Sequence, residues 1–448
     1  MNPRNPLYRH TLAALCMSLV LGAGAAFALP EAKKDFSAHL SLEQEYVDCL
    51  QLSRGHGEEY ISTISPGFSL SALTEASGCK LEYDLGWARY WRLNNNFVQH
   101  AAHGALWQQW EHLRFDAQGE FSRQEQNLEL DPDTLTPKSI RDSVSPYYRA
   151  GASPTLSYEF GKDRSLSLGY NWATYYNDNP RFQDSEISSP EITLDYAFNP
   201  FHSARLFYAY ERGDFSGGTA LSHAPDYKAH RAGGSYTYRM TDHANLSAAY
   251  SLSDLDAHDG TGYRLHNAAL GLDYAVADDL ALGCKLGYYL MDQTYWKTTH
   301  LLPHVDWLHL ADGNKSGPQI EGKLIKTFPK GTLTVTGQYG TGEDWGNAEN
   351  LGIYEYWGGG VLASHALGQH LSASANAGYR RISYAQAERK DDNWSGGCGL
   401  SWTIRPWLTG ALDYSHTDCQ SDTGRWYSGQ RWDFAVNTCL ARLTAIYE

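Results

Sequence analysis

Three histidines and an aspartate crowd together at His300, His304, Asp306 and His309, side-chain types that ligate zinc, and the first two stand at the i, i+4 spacing that aligns two ligands on a helix face. The same cluster beside Trp307 also fits a solvated loop capping a mouth, and the loop reading is preferred, so no metal is assigned. His100, His103 and His112, amid Trp107 and Trp110, read as strand and turn residues. Ser, His, Asn and acids are plentiful, but no spacing singles out a triad, which is an arrangement in space rather than along a chain. The chain is therefore not read as an enzyme, with no catalytic residue and no cofactor. Seven cysteines are present. Cys16 lies in an N-terminal apolar stretch, Cys284 and Cys398 read as small hydrophobes, Cys79 and Cys439 carry no assignment, and Cys49 and Cys419 map near one rim, where a bridge could join them.

What must position these residues is set by a period of two. Cys79, Leu81, Tyr83, Leu85 and Trp87 alternate with Lys80, Glu82, Asp84 and Gly86, which places the two sets on opposite faces of a strand. The alternation returns at Leu166 to Trp172, Ala268 to Val276, Leu280 to Leu290 and Cys398 to Ile404, with Ser, Gly, Asn, Asp, Lys and Thr between the apolar residues. A soluble sandwich rarely needs strands longer than about ten residues, and these run past that length. Short turns fall near Leu73 to Ser77, Gly161 to Arg164, Asn199 to His202, Met240 to His243, Ala277 to Asp279, Pro329 to Gly331, Ala366 to Gln369 and Arg405 to Pro406. Longer polar stretches, 126–146, 177–189, 216–227 and 293–316, separate them and read as loops. Tight turns at one end and long loops at the other define an up-and-down transmembrane barrel, all-β and antiparallel, of about 18–20 strands.

Composition and termini agree with that reading. The chain carries 42 Gly, 31 Tyr and 14 Trp against only 4 Met, a balance that suits aromatic-rich strands better than a helical core. Arg4 and Arg9, an apolar stretch from Thr11 to Gly24 and Ala26-Phe27-Ala28 have the order of a signal peptide cut after Ala28, with residues 29–35 a short periplasmic segment and 36–448 the barrel. Leu15 stands where a lipoprotein needs a small residue before its cysteine. Cleavage takes the formal charge from -15 to -17, which argues against nucleic acid as a partner. In the last strand Trp432, Phe434, Val436, Thr438 and Leu440 are assigned to the outer face, with Arg442 interrupting it and an aromatic, Tyr447, near the end. The expected location is the bacterial outer membrane, and the expected partners are its lipid and lipopolysaccharide and the barrel-insertion machinery.

The segments SLEQEYVDCL (41–50), EEYISTISPGFSLSA (58–72) and CKLEYDLGWARYW (79–91) resemble the start of an outer-membrane β-barrel family associated with PEP-CTERM/exosortase and exopolysaccharide loci, whose first strand ends in an acidic pair and whose next carries Ser-Pro-Gly. The resemblance implies a barrel serving polysaccharide secretion, with polysaccharide and separate periplasmic export proteins as further partners and no catalytic residues. A general diffusion or uptake porin, or a structural barrel blocked by its loops, is the alternative. By parity the lumen wall includes Lys80, Glu82, Asp84, Arg205, Glu211, Asp273, Lys285, His370, Asn376, Arg380 and Asp413, a mixed set with no stripe of one sign. Trp87, Trp91, Trp172, Tyr288 and Trp402 point to lipid by the same parity and read as an interfacial girdle.

Overall fold

The computed structural model describes residues 32–49, 57–125, 128–130, 137–140, 145–180, 183–217, 225–302, 305–344, 352–384, 389–422 and 433–447. The expected signal peptide lies outside them, as do His304 and Trp432. The described residues form strands and turns only. The first strands are β1 (Lys33–Val47), β2 (Glu59–Leu73), β3 (Ser77–Tyr90), β4 (Asn95–Gln109), β5 (Leu113–Gln124) and a small hairpin, β6 (Leu128–Leu130) with β7 (Pro137–Ile140). The wall continues through β8 (Tyr147–Gly161), β9 (Arg164–Asn177), β10 (Gln183–Asn199), β11 (His202–Gly217), β12 (Tyr227–Thr241), β13 (Ala244–Ala257), β14 (Gly262–Ala277) and β15 (Leu280–Leu302). It ends with β16 (Val305–Phe328), β17 (Gly331–Asp344), β18 (Gly352–Ala366), β19 (Leu371–Tyr384), β20 (Arg389–Arg405), β21 (Leu408–Ser421) and β22 (Phe434–Tyr447).

Apart from the small hairpin these elements make one sheet of 20 strands, each antiparallel to its chain neighbour. Closure comes from β1 pairing with β22 over a register that runs from Ala38↔Tyr447 to Val47↔Thr438. A closed sheet leaves no edge, so every strand finds ladder partners on both sides, the condition a backbone must meet in hydrocarbon. The strand number falls within the expected range and is even, which puts both ends of the barrel chain at the end with the tight turns.

Those turns are two to four residues long, and register shifts sit just before five of them, at Glu159/Gly161, Ala197/Asn199, Arg239/Thr241, Ala275/Ala277 and Thr403/Arg405. In the first, Asp163 takes a left-handed φ of 56°, as a hairpin of a type I turn plus bulge requires. Two expected loops are shorter than read from sequence. The stretch 177–189 is largely strand β10, and 293–316 is a long hairpin in which β15 and β16 stay paired to Leu302↔Val305. In sequence both stretches mix polar and apolar residues without a clean period of two.

Cα partners across a ladder share a face, so one strand with a clear outer side orients the whole wall. In β14, Leu270 is 62% exposed and pairs with Ala248 and Leu286 on its two sides, which with Tyr288 and Leu290 continue an apolar band around the outside. Tyrosine–histidine hydrogen bonds edge that band near the long-loop end: Tyr83–His100 at 2.8 Å, Tyr208–His230 at 2.8 Å and Tyr250–His266 at 2.7 Å. Each joins an amphipathic ring to a polar partner, the kind of residue enriched at membrane–water interfaces.

Candidate functional site

The inner face of the wall carries the polar chemistry. Opposite charges meet there, Lys80–Glu82 at 2.5 Å along β3 and Arg205–Asp195 at 3.6 Å, Arg231–Glu211 at 3.4 Å, Lys285–Glu321 at 3.3 Å and Arg442–Glu43 at 2.6 Å between strands, and His39 hydrogen-bonds Asp84 at 2.7 Å. Each half-exposed pair is worth at most about 1 kcal/mol, so these pairs do little for stability. Their effect is on the lumen, where each pair offsets its own charges locally.

Ten of the eleven expected lumen residues stand on inward-facing ladder positions. Asp273 lies opposite Asn245, Asn376 opposite Gly397 and Asp413 opposite Gly399, while Arg380 rests 4.3 Å over the Tyr356 ring. His370 is a correction: it sits in the tight turn between β18 and β19, where its carbonyl accepts the Thr403 N–H, because β19 begins one residue later at Leu371. The metal candidates also change. His300 and His309 lie on paired strands β15 and β16, and His304 lies outside the described residues. Among the described residues no three ligating side chains gather. Trp87, Trp172, Tyr288 and Trp402 face outward, and Trp91, just past β3, donates its indole N–H to the outward Ser62.

The last strand corrects the sequence reading. Phe434 and Val436 are buried, Leu440 stands opposite Asp413 and Arg442 reaches Glu43, so this run lines the lumen rather than the lipid. The physical reason lies in the long-loop half of the lumen, which carries apolar clusters among its buried polar groups. Val47, Cys49, Ile61, Ala88, Tyr90, Cys419, Phe434 and Val436 pack as one cluster beside the β1–β22 seam. Cys49 and Cys419, the expected bridging pair, both belong to it, and burial pushes the Cys49 thiol above its ordinary pKa. A second cluster gathers Tyr227, Leu255, Tyr263, Leu265, Tyr289, Met291 and Ile353. There Tyr289 donates to Glu355 at 2.9 Å, joining β15 to β18 across two intervening strands, so side chains bridge the curve of the wall instead of lining it flat.

Buried acids hold this half together. Glu125 accepts Gln99 at 2.6 Å and Tyr90 at 3.4 Å, and Glu59 accepts three backbone N–H groups from Tyr60, Arg92 and Leu93. Below, at mid-height, the wall from β4 to β12 is hollowed into a cavity of about 620 Å³. Small residues make the hollow, Gly119, Gly151, Ala173 and Ala209 on adjoining strands, and His103, Glu120, Asn171, Glu191, Glu211 and Arg231 supply its polar groups. Of these, sequence parity had singled out only Glu211. The others stand on β4, β5, β9, β10 and β12 and were not among the residues selected by alternation.

No family model and no curated protein matches this chain. Among solved structures it is similar to a mutant ferric enterobactin receptor, PfeA, of Pseudomonas aeruginosa in complex with enterobactin, with a TM-score of 0.55 at 10% identity, covering 93% of this chain and 82% of that one. It is also similar to the siderophore receptor PirA of Acinetobacter baumannii, with a TM-score of 0.53 at 8% identity over 93% and 81% of the two chains. PirA of Pseudomonas aeruginosa gives a TM-score of 0.52 at 10% identity over 93% and 81%. At these identities the likeness is one of fold: a large antiparallel barrel of the outer-membrane type.

Proposed function

We propose that this barrel is an outer-membrane conduit for a hydroxyl-rich polymer, a polysaccharide chain moving outward, and that its long-loop end is narrowed at rest. The observation that carries the reading is the asymmetry of the lumen. Toward the tight turns the wall is polar and carries ion pairs, whereas toward the long loops it holds two clusters of apolar and aromatic side chains among buried polar groups. Such packing along the outward half of the wall suits an exporter that stays shut between cargoes better than a passive porin.

Size agrees with a polymer. Twenty strands at about 4.8 Å spacing enclose a ring about 30 Å across before tilt widens it, more than the 16–18-stranded barrels that already hold an aqueous channel. Paired charges suit a cargo that binds weakly and keeps moving. Secretion of exopolysaccharide is the pathway implied by the resemblance in the N-terminal strands, and the orientation, tight turns to the periplasm, follows the rule for such barrels.

The test is single-channel conductance of the refolded protein in a planar bilayer, compared with a Tyr90→Ala/Phe434→Ala variant that thins the packing. Small or absent steps in the parent and large steps in the variant are expected. Large steps from the unaltered protein would refute the narrowing and favour the porin. Liposomes carrying the opened variant should release entrapped dextran, and retention of dextran while salt passes would refute the polymer.

A further inference from the structure

The mid-height cavity is more than a widening of the lumen, because one aromatic ring is set into it. Phe207 faces inward with Ala209 and Glu211, and although large and apolar it remains 37% exposed. Its ring edge takes the space that a side chain on Gly233 would fill, with Cε1 2.6 Å from where that Cβ would stand. The glycine thus seats the ring against the wall and leaves the rest of it to the cavity. Across the hollow, Asn171 and Ser189 are direct ladder partners, as are His103 and Glu120, so amide, hydroxyl, imidazole and carboxylate groups stand around one aromatic surface.

The charges are unevenly satisfied. Glu120 pairs with Arg149 at 3.2 Å, and Glu211 pairs with Arg231 and accepts Tyr227 at 2.8 Å. Glu191, packed at 3.2 Å from the Cβ position of Gly169, has no ion-pair partner among the described residues. One uncompensated carboxylate beside an exposed ring and several hydrogen-bonding groups matches a sugar residue: apolar C–H face on the ring, hydroxyls on the polar groups. The carboxylate sets the sign, attracting an amino group and repelling a uronate.

We infer that this cavity is a saccharide subsite selective for neutral and amino sugars over uronates, with Phe207 as the stacking surface and Glu191 as the charge filter. Its role as a station along a polymer's route rests on the conduit reading, but binding does not. The cavity lies within the 300–1,000 Å³ usual for small-ligand sites, large enough for a short run of sugar rings.

Calorimetric titration of the full-length protein, folded in a detergent without a sugar head group, with short oligomers of glucose, glucosamine and galacturonate tests it. Glucosamine oligomers should bind most tightly, glucose oligomers more weakly and galacturonate oligomers least. Phe207→Leu, which still covers Gly233, should weaken the first two by about tenfold. Glu191→Gln should abolish the preference for glucosamine and leave glucose binding unchanged. Absence of saturable binding by all three in folded protein overturns the inference, as does binding that neither substitution alters. Sugars that cross liposome membranes without saturable binding would sink the subsite and spare the conduit; binding without passage by the opened variant would do the reverse.

Discussion

Glu59 is the first residue of β2 and only 1% exposed, yet it carries no ion pair among the described residues. Its Oε1 accepts the N–H groups of Tyr60 at 3.0 Å and Arg92 at 2.7 Å, and its Oε2 accepts that of Leu93 at 2.9 Å. The last two belong to the turn joining β3 to β4, so one carboxylate ties that turn to β2 at the long-loop end. Hydrogen bonds to a charged acceptor are worth about 1.5–3 kcal/mol each. Glu59→Gln keeps Oε1 with its two donors but turns an amide N–H toward the Leu93 N–H, losing one bond and setting donor against donor, a cost of about 2–3 kcal/mol. Glu59→Ala strips all three and should cost about 3–5 kcal/mol. The assay is urea unfolding in detergent, where a slope of about 2 kcal/mol per molar turns the glutamine variant into a midpoint about 1 M lower. The neighbouring Glu58, half-exposed and bound to Arg92 at 2.7 Å, is the control, and its glutamine variant should stay within about 0.5 kcal/mol of the parent. A Glu59→Gln midpoint matching that of Glu58→Gln would refute the reasoning that desolvation makes the difference.

Three further outcomes are expected. Leu270→Arg, in the middle of the outer face of β14, should destabilise the barrel in bilayers by about 2–4 kcal/mol, and equal stability in vesicles would place that face away from lipid. At the seam, Arg442→Glu alone should loosen closure against Glu43, and adding Glu43→Arg should restore about 0.3–1 kcal/mol of coupling, read by a double-mutant cycle whose null result would dismiss the pair. In the turn before β15, the hydrogen bond from Lys326 at 2.5 Å holds the Asp279 carboxyl below its ordinary pKa. Its stabilisation is therefore present above the unfolded carboxyl pKa and lost as pH falls through the lower folded one, so Lys326→Met should flatten the acid side of a stability–pH curve, and an unchanged curve would discount the contact.

Much of the fold was legible because the outer wall and the tight turns obey local rules. Leu166 to Trp172 and Leu280 to Leu290 alternate cleanly since lipid tolerates only apolar groups on one side while the other side is free to vary. Turn positions such as Gly161 to Arg164 followed from the break in that alternation. Long hairpins were less legible: β15 and β16 keep their ladder to Leu302↔Val305, while the sequence there, Thr298, His300 and Asp306 among it, shows no period of two to read. His370 was misplaced for a related reason, since one residue decides whether a position belongs to a turn or to the first rung of a strand.

The inner wall was harder, and β22 shows why. Phe434 and Val436 look like lipid-facing residues only if the lumen is assumed polar from end to end, and in that case Arg442 must be an intruder on the outer face. Once the long-loop half of the lumen carries apolar clusters, the same alternation reads with the opposite hand: Phe434 and Val436 pack inward with Val47 and Ile61, and Arg442, eight residues from Phe434 and so on the same face, meets Glu43 in the polar half. Arg442 is thus the residue that orients the strand. The apolar run alone was ambiguous between lipid and core, but a charge at even spacing from it is tolerable only on the side where an opposite charge waits. In this strand parity is better anchored on the charged residue than on the apolar ones, and on β10 and β12 the inward Glu191 and Arg231 stand at the cavity around Phe207.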